Sequence, residues 1–80
     1  MTFQILGPGC MNCKRLADNT EAAAKELGIS YELYKVSDIA AITGFGIQRT
    51  PALIVDGKIV VQGRVPSVDE LMSMLAQQMA

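Results

Sequence analysis

Histidine and tryptophan are absent from the 80-residue sequence, and it contains only two cysteines. Without imidazole, the chain can build neither a histidine-dependent catalytic triad nor a zinc site with histidine ligands. Lysine and arginine number 7 against 8 aspartates and glutamates, which gives a formal net charge of −1. This balance argues against a nucleic-acid-binding protein, because such proteins usually have a strongly basic surface.

The sequence also lacks long apolar runs and a recognisable signal peptide at its start. Even Ala52–Val55 is far too short to cross a bilayer. We therefore expect a cytoplasmic protein without a membrane partner. Half of the residues are apolar, which is enough for a hydrophobic core. Because chains of this length rarely divide, we expect a single domain over residues 1–80.

Hydrophobic periodicity and turn residues predict the element order β-α-β-α-β-β-α. The predicted segments are strand 2–6, helix 11–27, strand 29–36, short helix 39–42, strands 52–55 and 58–62, and a last helix that begins after residue 67. The first three elements predict a parallel β-α-β unit, and Asp56-Gly57 predicts a hairpin between the last two strands. The fold class is therefore α/β, with a four-stranded mixed sheet flanked by helices on both faces.

Two further patterns concern helix starts and the last helix face. Ser37-Asp38 predicts the start of the short helix, and Ser67 with Glu70 forms a capping box for the last helix. The apolar face of the last helix is expected to comprise Leu71, Met72, Leu75 and Met79, with Met74 as a further candidate. Met72 and Met79 in particular are predicted to be core residues.

The two cysteines form a Cys-x-x-Cys motif where the first strand meets the first helix. Cys10 is predicted to lie at the helix N-terminus, where unpaired N–H groups and the helix dipole lower a thiol pKa below its ordinary value of roughly 8.5. Cys13 falls on the buried stripe of the helix, one turn further on. One exposed thiolate with a shielded partner is the arrangement that dithiol–disulfide exchange requires. The motif therefore predicts Cys10 as the nucleophile and Cys13 as the resolving cysteine.

Three other uses of the cysteine pair stay open. A structural disulfide closing so small a loop contributes only about 2 kcal/mol and fits a reducing compartment poorly. Two thiolates at this spacing also suit Cu(I) or another soft metal ion, which makes a metal carrier the main alternative. The third is a binding module whose cysteines act only as a redox sensor.

The chain resembles the thioredoxin-like superfamily, and most of all its short, glutaredoxin-sized prokaryotic disulfide proteins. Their Gly-x-Gly-Cys-x-Asn-Cys site matches residues 7–13, and a second motif matches at Thr50-Pro51. The resemblance implies a thiol–disulfide oxidoreductase whose proline carries a cis peptide and faces the cysteines, with the Thr50 backbone pairing with substrate. It also implies that Gly63 lets substrate approach closely.

The resemblance implies no cofactor beyond the Cys10–Cys13 dithiol. It implies protein disulfides as substrates and a thioredoxin-reductase-like flavoprotein as the reductant, and we expect a monomer. The remaining residues expected to support the site are Gly9, Asn12 and Arg49, of which Arg49 is the cation predicted to favour the Cys10 thiolate.

The sequence departs from the relatives in two respects. Larger thioredoxins carry a buried aspartate in the first strand, and counting back from Cys10 places Gln4 at that position. The acceptor of the Cys13 proton is therefore unassigned. The aromatic residue and the Gly-Asp turn with which glutaredoxins hold glutathione are also missing, so we do not expect glutathione to be the substrate.

Overall fold

Seven elements make up the fold. The structure is a computed structural model that describes residues 1–9 and 11–79. The elements are β1 (Thr2–Leu6), α1 (Met11–Glu26), β2 (Glu32–Val36), α2 (Ile39–Gly44), β3 (Ala52–Val55), β4 (Lys58–Gln62) and α3 (Val68–Met79). Within the described ranges, no helix has the length and apolar character needed to cross a membrane.

The four strands form one mixed sheet in the order β2-β1-β3-β4. β1 pairs in parallel with β2 and antiparallel with β3, and β3 pairs antiparallel with β4. β1 and β3, the two central strands, are the most buried, as expected for strands covered on both faces. The predicted α/β fold with a four-stranded mixed sheet is confirmed.

Strand alternation divides the core into two clusters, one on each face of the sheet. On one face, α1 and α3 cover side chains that include Phe3, Ile5, Leu53 and Val55. On the other, α2 contributes Ile42 to a smaller cluster with Leu6, Ala52, Ile54 and the nearby Ile47. Helices therefore lie on both faces, and the α1 face contains most of the buried apolar surface.

The predicted hairpin between β3 and β4 is present, and its turn contacts β1. Asp56 and Gly57 have φ of 48° and 86°, the left-handed conformations that a type I′ turn requires at both central residues. The Thr2 backbone N–H donates to Asp56 Oδ1 over 2.7 Å, and the Asp56 N–H donates to the Thr2 carbonyl over 2.9 Å. The turn therefore also fixes the start of the neighbouring strand.

The capping box at the start of α3 is also confirmed. The Ser67 N–H donates to Glu70 Oε1 over 3.3 Å, and the Glu70 N–H donates to Ser67 Oγ over 3.2 Å. The hydrogen bond from the Ser67 backbone, followed by that from Arg64, lowers the pKa of Glu70 below its ordinary 4.5. Asp38, by contrast, occupies the N-cap of α2 but makes no side-chain capping bond.

Two sequence expectations are wrong, one about where β2 begins and one about the burial of Met79. β2 begins at Glu32 and not at residue 29, because its partner β1 begins at Thr2, opposite Glu32, and offers no earlier residue to pair with. Met79 is 59% exposed, whereas Met72 packs against the core as expected. Periodicity identifies the apolar face of α3, but the covered part of that face ends at Leu75.

We expect Ser67→Ala to lower the free energy of unfolding by about 1 kcal/mol, because it removes the side-chain oxygen that caps α3. Urea denaturation measures the change. Ser73→Ala, the same substitution at an exposed position inside α3, is the matched control. It should not lower stability, since alanine is the better helix former. Equal losses in both variants would contradict the capping role of Ser67.

Candidate active site

The candidate site lies where β1 ends and α1 begins. Gly7 continues β1 by one further hydrogen bond, from its N–H to the Val36 carbonyl of β2 over 2.9 Å. α1 then begins at Met11. Cys10, the predicted nucleophile, lies outside the described residues. Its predicted partner Cys13 is the third residue of α1.

Cys13 is buried, with 7% of its surface exposed. It shares the inner face of α1 with the buried residues Leu16, Ala17 and Thr20. This confirms that the second cysteine of the motif is shielded from solvent.

Gly7 makes room for the Cys13 sulfur. A Cβ atom at residue 7 would overlap with Cys13 Sγ, and it would lie 3.8 Å from the Cβ of Thr50. The absence of a side chain therefore lets the end of β1 contact Cys13 and approach Thr50. This role of Gly7 was not predicted from the sequence, although Gly7 is the first glycine of the Gly-x-Gly-Cys motif and the motif could have indicated it.

The second motif lies next to the end of β4. The Thr50–Pro51 peptide bond is cis, as the resemblance implied. Pro51 is buried and Thr50 is exposed. The Pro51 carbonyl accepts a hydrogen bond from the Gly63 N–H over 2.9 Å, so two of the expected substrate-binding residues lie side by side.

Gly63 has two reasons to be glycine. Its φ is 79°, and a Cβ there would lie only 3.0 Å from both Cβ and Cδ of Arg49. The stem of Arg49 therefore packs against Gly63, beside the Pro51 segment. Arg64, the next residue, forms an ion pair of 3.1 Å with Glu70.

A cleft of about 370 Å³ opens beside Cys13, towards the β2 side of the sheet. Its described lining residues are Ile5, Gly7, Gly9, Cys13, Lys14, Lys35 and Ser37. None of these carries a carboxylate. Lys35 and Ser37 were not predicted from the sequence as site residues, because only the pairing of Ile5 with Lys35 across β1 and β2 brings them to the site.

The β1 residue that reaches this cleft is Ile5 and not Gln4. Phe3 and Ile5 belong to the cluster on the α1 face, whereas Leu6 belongs to the α2 face. By alternation, Gln4 shares the face of Leu6 and is directed away from α1. Counting residues back from Cys10 therefore gave Gln4, whose side chain lies on the face of the sheet opposite to Cys13.

The metal-carrier alternative relies on Cys10 together with Cys13, and Cys10 lies outside the described residues. No three His, Cys, Asp or Glu side chains within residues 1–9 and 11–79 cluster closely enough to hold an ion. The element order also ends on α3, as expected, and not on a strand as in the ferredoxin-like copper carriers.

Comparisons with known proteins agree with this architecture. A family model described as "Thioredoxin domain" matches residues 1–76. The chain is 41% identical over 76 residues to a thioredoxin of Methanothermobacter thermautotrophicus, covering 95% of this chain and 99% of the relative. The chain belongs to the thioredoxin family. It is accordingly a thiol–disulfide oxidoreductase.

Two further similarities extend this result. A thioredoxin of Methanocaldococcus jannaschii is 37% identical over 71 residues, with 89% of this chain and 81% of the relative covered. The solved structure of thioredoxin 1 from Thermosipho africanus superimposes with a TM-score of 0.64, covering 99% and 94% of the two chains at 17% identity. At that identity the structural match supports the thioredoxin fold alone.

We expect Gly7→Ala to destabilise this thioredoxin-family protein by about 1–3 kcal/mol, because the new methyl group must displace either the Cys13 sulfur or the end of β1. Urea denaturation of the reduced protein measures the loss. Gly44→Ala is the matched control, since a Cβ at the end of α2 meets no atom within 4 Å. An unchanged midpoint in Gly7→Ala would show that the contact with Cys13 does not constrain the fold.

Proposed function

We propose that the protein reduces protein disulfides through its Cys10–Cys13 dithiol, with Cys10 as the nucleophile and Cys13 as the resolving cysteine. The observation that carries the proposal is the position of Cys13 in the first turn of α1, where it is buried and its sulfur lies against Gly7. A shielded thiol at this place is suited to attack a sulfur three residues earlier and unsuited to attack an external disulfide. The direct exchange with substrate is thereby left to Cys10.

In the first step, the Cys10 thiolate attacks one sulfur of the substrate disulfide. A Cys10–substrate disulfide forms, the substrate S–S bond breaks, and the departing thiolate takes a proton from water. The N-terminus of α1 favours the Cys10 thiolate because the helix dipole and unpaired N–H groups stabilise negative charge there.

In the second step, Cys13 loses its proton and its sulfur attacks Cys10. The Cys10–Cys13 disulfide forms and the second substrate thiol is released, so two electrons pass from the dithiol to the substrate. Because no carboxylate is among the described lining residues of the cleft, we assign the Cys13 proton to solvent in the cleft and not to an acidic side chain.

The substrate segment is proposed to lie along Thr50, Pro51 and Gly63. Thr50 and Gly63 are exposed, and the Gly63–Pro51 hydrogen bond joins them into one edge. An extended peptide could pair there with the Thr50 backbone, in the manner in which strands add to sheet edges. Gly9 and Asn12, both exposed, border the cysteine motif and are proposed to support the approach of substrate.

The proposal includes a cytoplasmic location, a monomeric state, and recycling by a flavoprotein of the thioredoxin-reductase kind. No cofactor beyond the dithiol is required, because the two cysteines themselves hold the exchanged electron pair. The thioredoxin relatives support protein disulfide substrates and a reductant partner in general.

We expect Cys13→Ser to accumulate a one-to-one mixed disulfide with a protein substrate, because the step that releases Cys10 is lost. Non-reducing electrophoresis and intact mass detect the adduct. Cys10→Ser is the matched control and should form little adduct, since the remaining thiol is buried. Equal adduct formation in the two variants would contradict the assigned division of roles, and no adduct in either would contradict the exchange mechanism.

Arg49→Ala is expected to raise the pKa of the Cys10 thiol, because it removes the cation placed beside the Pro51–Gly63 edge. The rate of iodoacetamide alkylation against pH measures this pKa in the Cys13→Ser background. Arg49→Lys keeps the charge and should restore most of the shift. If Arg49→Ala titrates like its parent, Arg49 does not act on the nucleophile.

A further inference from the structure

The cleft beside Cys13 combines two cations with an apolar floor. Lys14 extends from α1 and Lys35 from β2, and both line the cleft together with the hydroxyl-bearing Ser37. Ile5 and Gly7 form the floor, both buried. A cleft with this lining favours the binding of a ligand whose anionic group meets the lysines and whose short carbon chain meets the apolar floor.

Neither lysine is neutralised by a neighbouring acid. Among residues 1–9 and 11–79, the ion pair within 4 Å is that of Arg64 with Glu70, and neither residue lines the cleft. Asp38, which follows Ser37, comes within 4 Å of neither lysine nitrogen. In a protein with a net charge of −1, two such cations beside a buried sulfur form a local positive potential that attracts anions.

The cleft is also distinct from the edge assigned to protein substrates. Its lining residues come from β1, α1 and the end of β2, whereas Thr50, Pro51 and Gly63 lie towards β3 and β4. Its volume of about 370 Å³ is at the small end of the range for ligand pockets. A small molecule fits this space better than a folded partner.

We propose that this cleft binds the carboxylate of small-molecule disulfides, so that the protein also reduces low-molecular-weight acidic disulfides. The inference rests on the proposed function, because Cys10 and Cys13 perform the chemistry. Cys10 attacks the small disulfide and expels one thiolate carboxylate. Cys13 then attacks Cys10 and expels the second, and two electrons pass to the substrate. Lys14 and Lys35 hold the carboxylate during the exchange.

The test compares three disulfides of similar size that differ in charge. They are 3,3′-dithiodipropionate, which is anionic, bis(2-hydroxyethyl) disulfide, which is neutral, and cystamine, which is cationic. Each rate with the reduced protein is divided by the rate of the same disulfide with dithiothreitol, which removes intrinsic differences in reactivity. We expect the normalised rate to favour the anionic over the neutral disulfide by about fivefold at low salt, and the preference to vanish at about 1 M salt.

Lys14→Gln and Lys35→Gln should each reduce this anionic-to-neutral ratio by about twofold, and the double variant should bring it near one. The ratio cancels any general effect of the lost charge on the cysteines, because such an effect alters both rates alike. Lys58→Gln, which removes an exposed lysine at the start of β4, is the matched control and should leave the ratio unchanged.

A second measurement needs no redox chemistry. Dithiodipropionate titrated into the oxidised protein should shift the backbone amide NMR signals of Gly7, Lys35 and Ser37, and not that of Lys58. A ratio near one in the parent protein, or a ratio that survives the double substitution, overturns the anionic subsite while the neutral disulfide still reports normal exchange. A protein that reduces none of the three small disulfides but still reduces a protein disulfide such as that of insulin overturns this inference alone, whereas a protein that reduces neither kind overturns the proposed function itself.

Discussion

The contact between the Gly7 backbone and the Cys13 sulfur is the constraint on which the rest of the site depends. Gly7 is held in place because its N–H bonds to Val36 and its chain continues directly from β1. Cys13 is held because it lies on the inner face of α1, which packs on the sheet. A methyl group at residue 7 would separate the two elements. Since close-packed interiors tolerate little added volume, the helix, the sulfur and the strand end have to be treated as one unit.

This contact also separates two surfaces that serve different partners in our proposals. On one side of the unit, Gly7 approaches Thr50, and the hydrogen bond from Gly63 to Pro51 ties that segment to the end of β4. On the other side lies the cleft bounded by Lys14 and Lys35. A polypeptide can use the first surface because it offers an open edge with exposed backbone. A small anion suits the second, because there the charges surround a confined volume.

The sequence predicts the elements well wherever a local signal decides them. Asp56-Gly57 specifies its turn through backbone conformation, and Ser67 with Glu70 specifies a helix start through two hydrogen bonds between residues close in sequence. The buried position of Cys13 follows from helical periodicity. The misses arise where a distant strand decides the outcome. The start of β2 depends on where β1 begins, and the choice between Gln4 and Ile5 depends on the phase of a strand relative to α1. Lys35 reaches the site only through that pairing.

In the proposed mechanism, the second exchange step uses no acidic side chain among the described lining residues of the cleft, and the composition of the cleft bears on how that step proceeds. A carboxylate beside Cys13 could accept its proton, but its charge would also repel the thiolate that results. Lysines have the opposite effect, because a nearby cation favours the ionised form of a thiol, and the proton can then pass to water in an open cleft. The same cations attract the carboxylate of an acidic disulfide, which would partly neutralise them while it is bound. Departure of the product carboxylate would restore their full charge beside Cys13. In our proposals, binding and resolution are therefore coupled through the charge of Lys14 and Lys35, because the same two side chains would attract the small substrate and favour the ionised form of the resolving thiol.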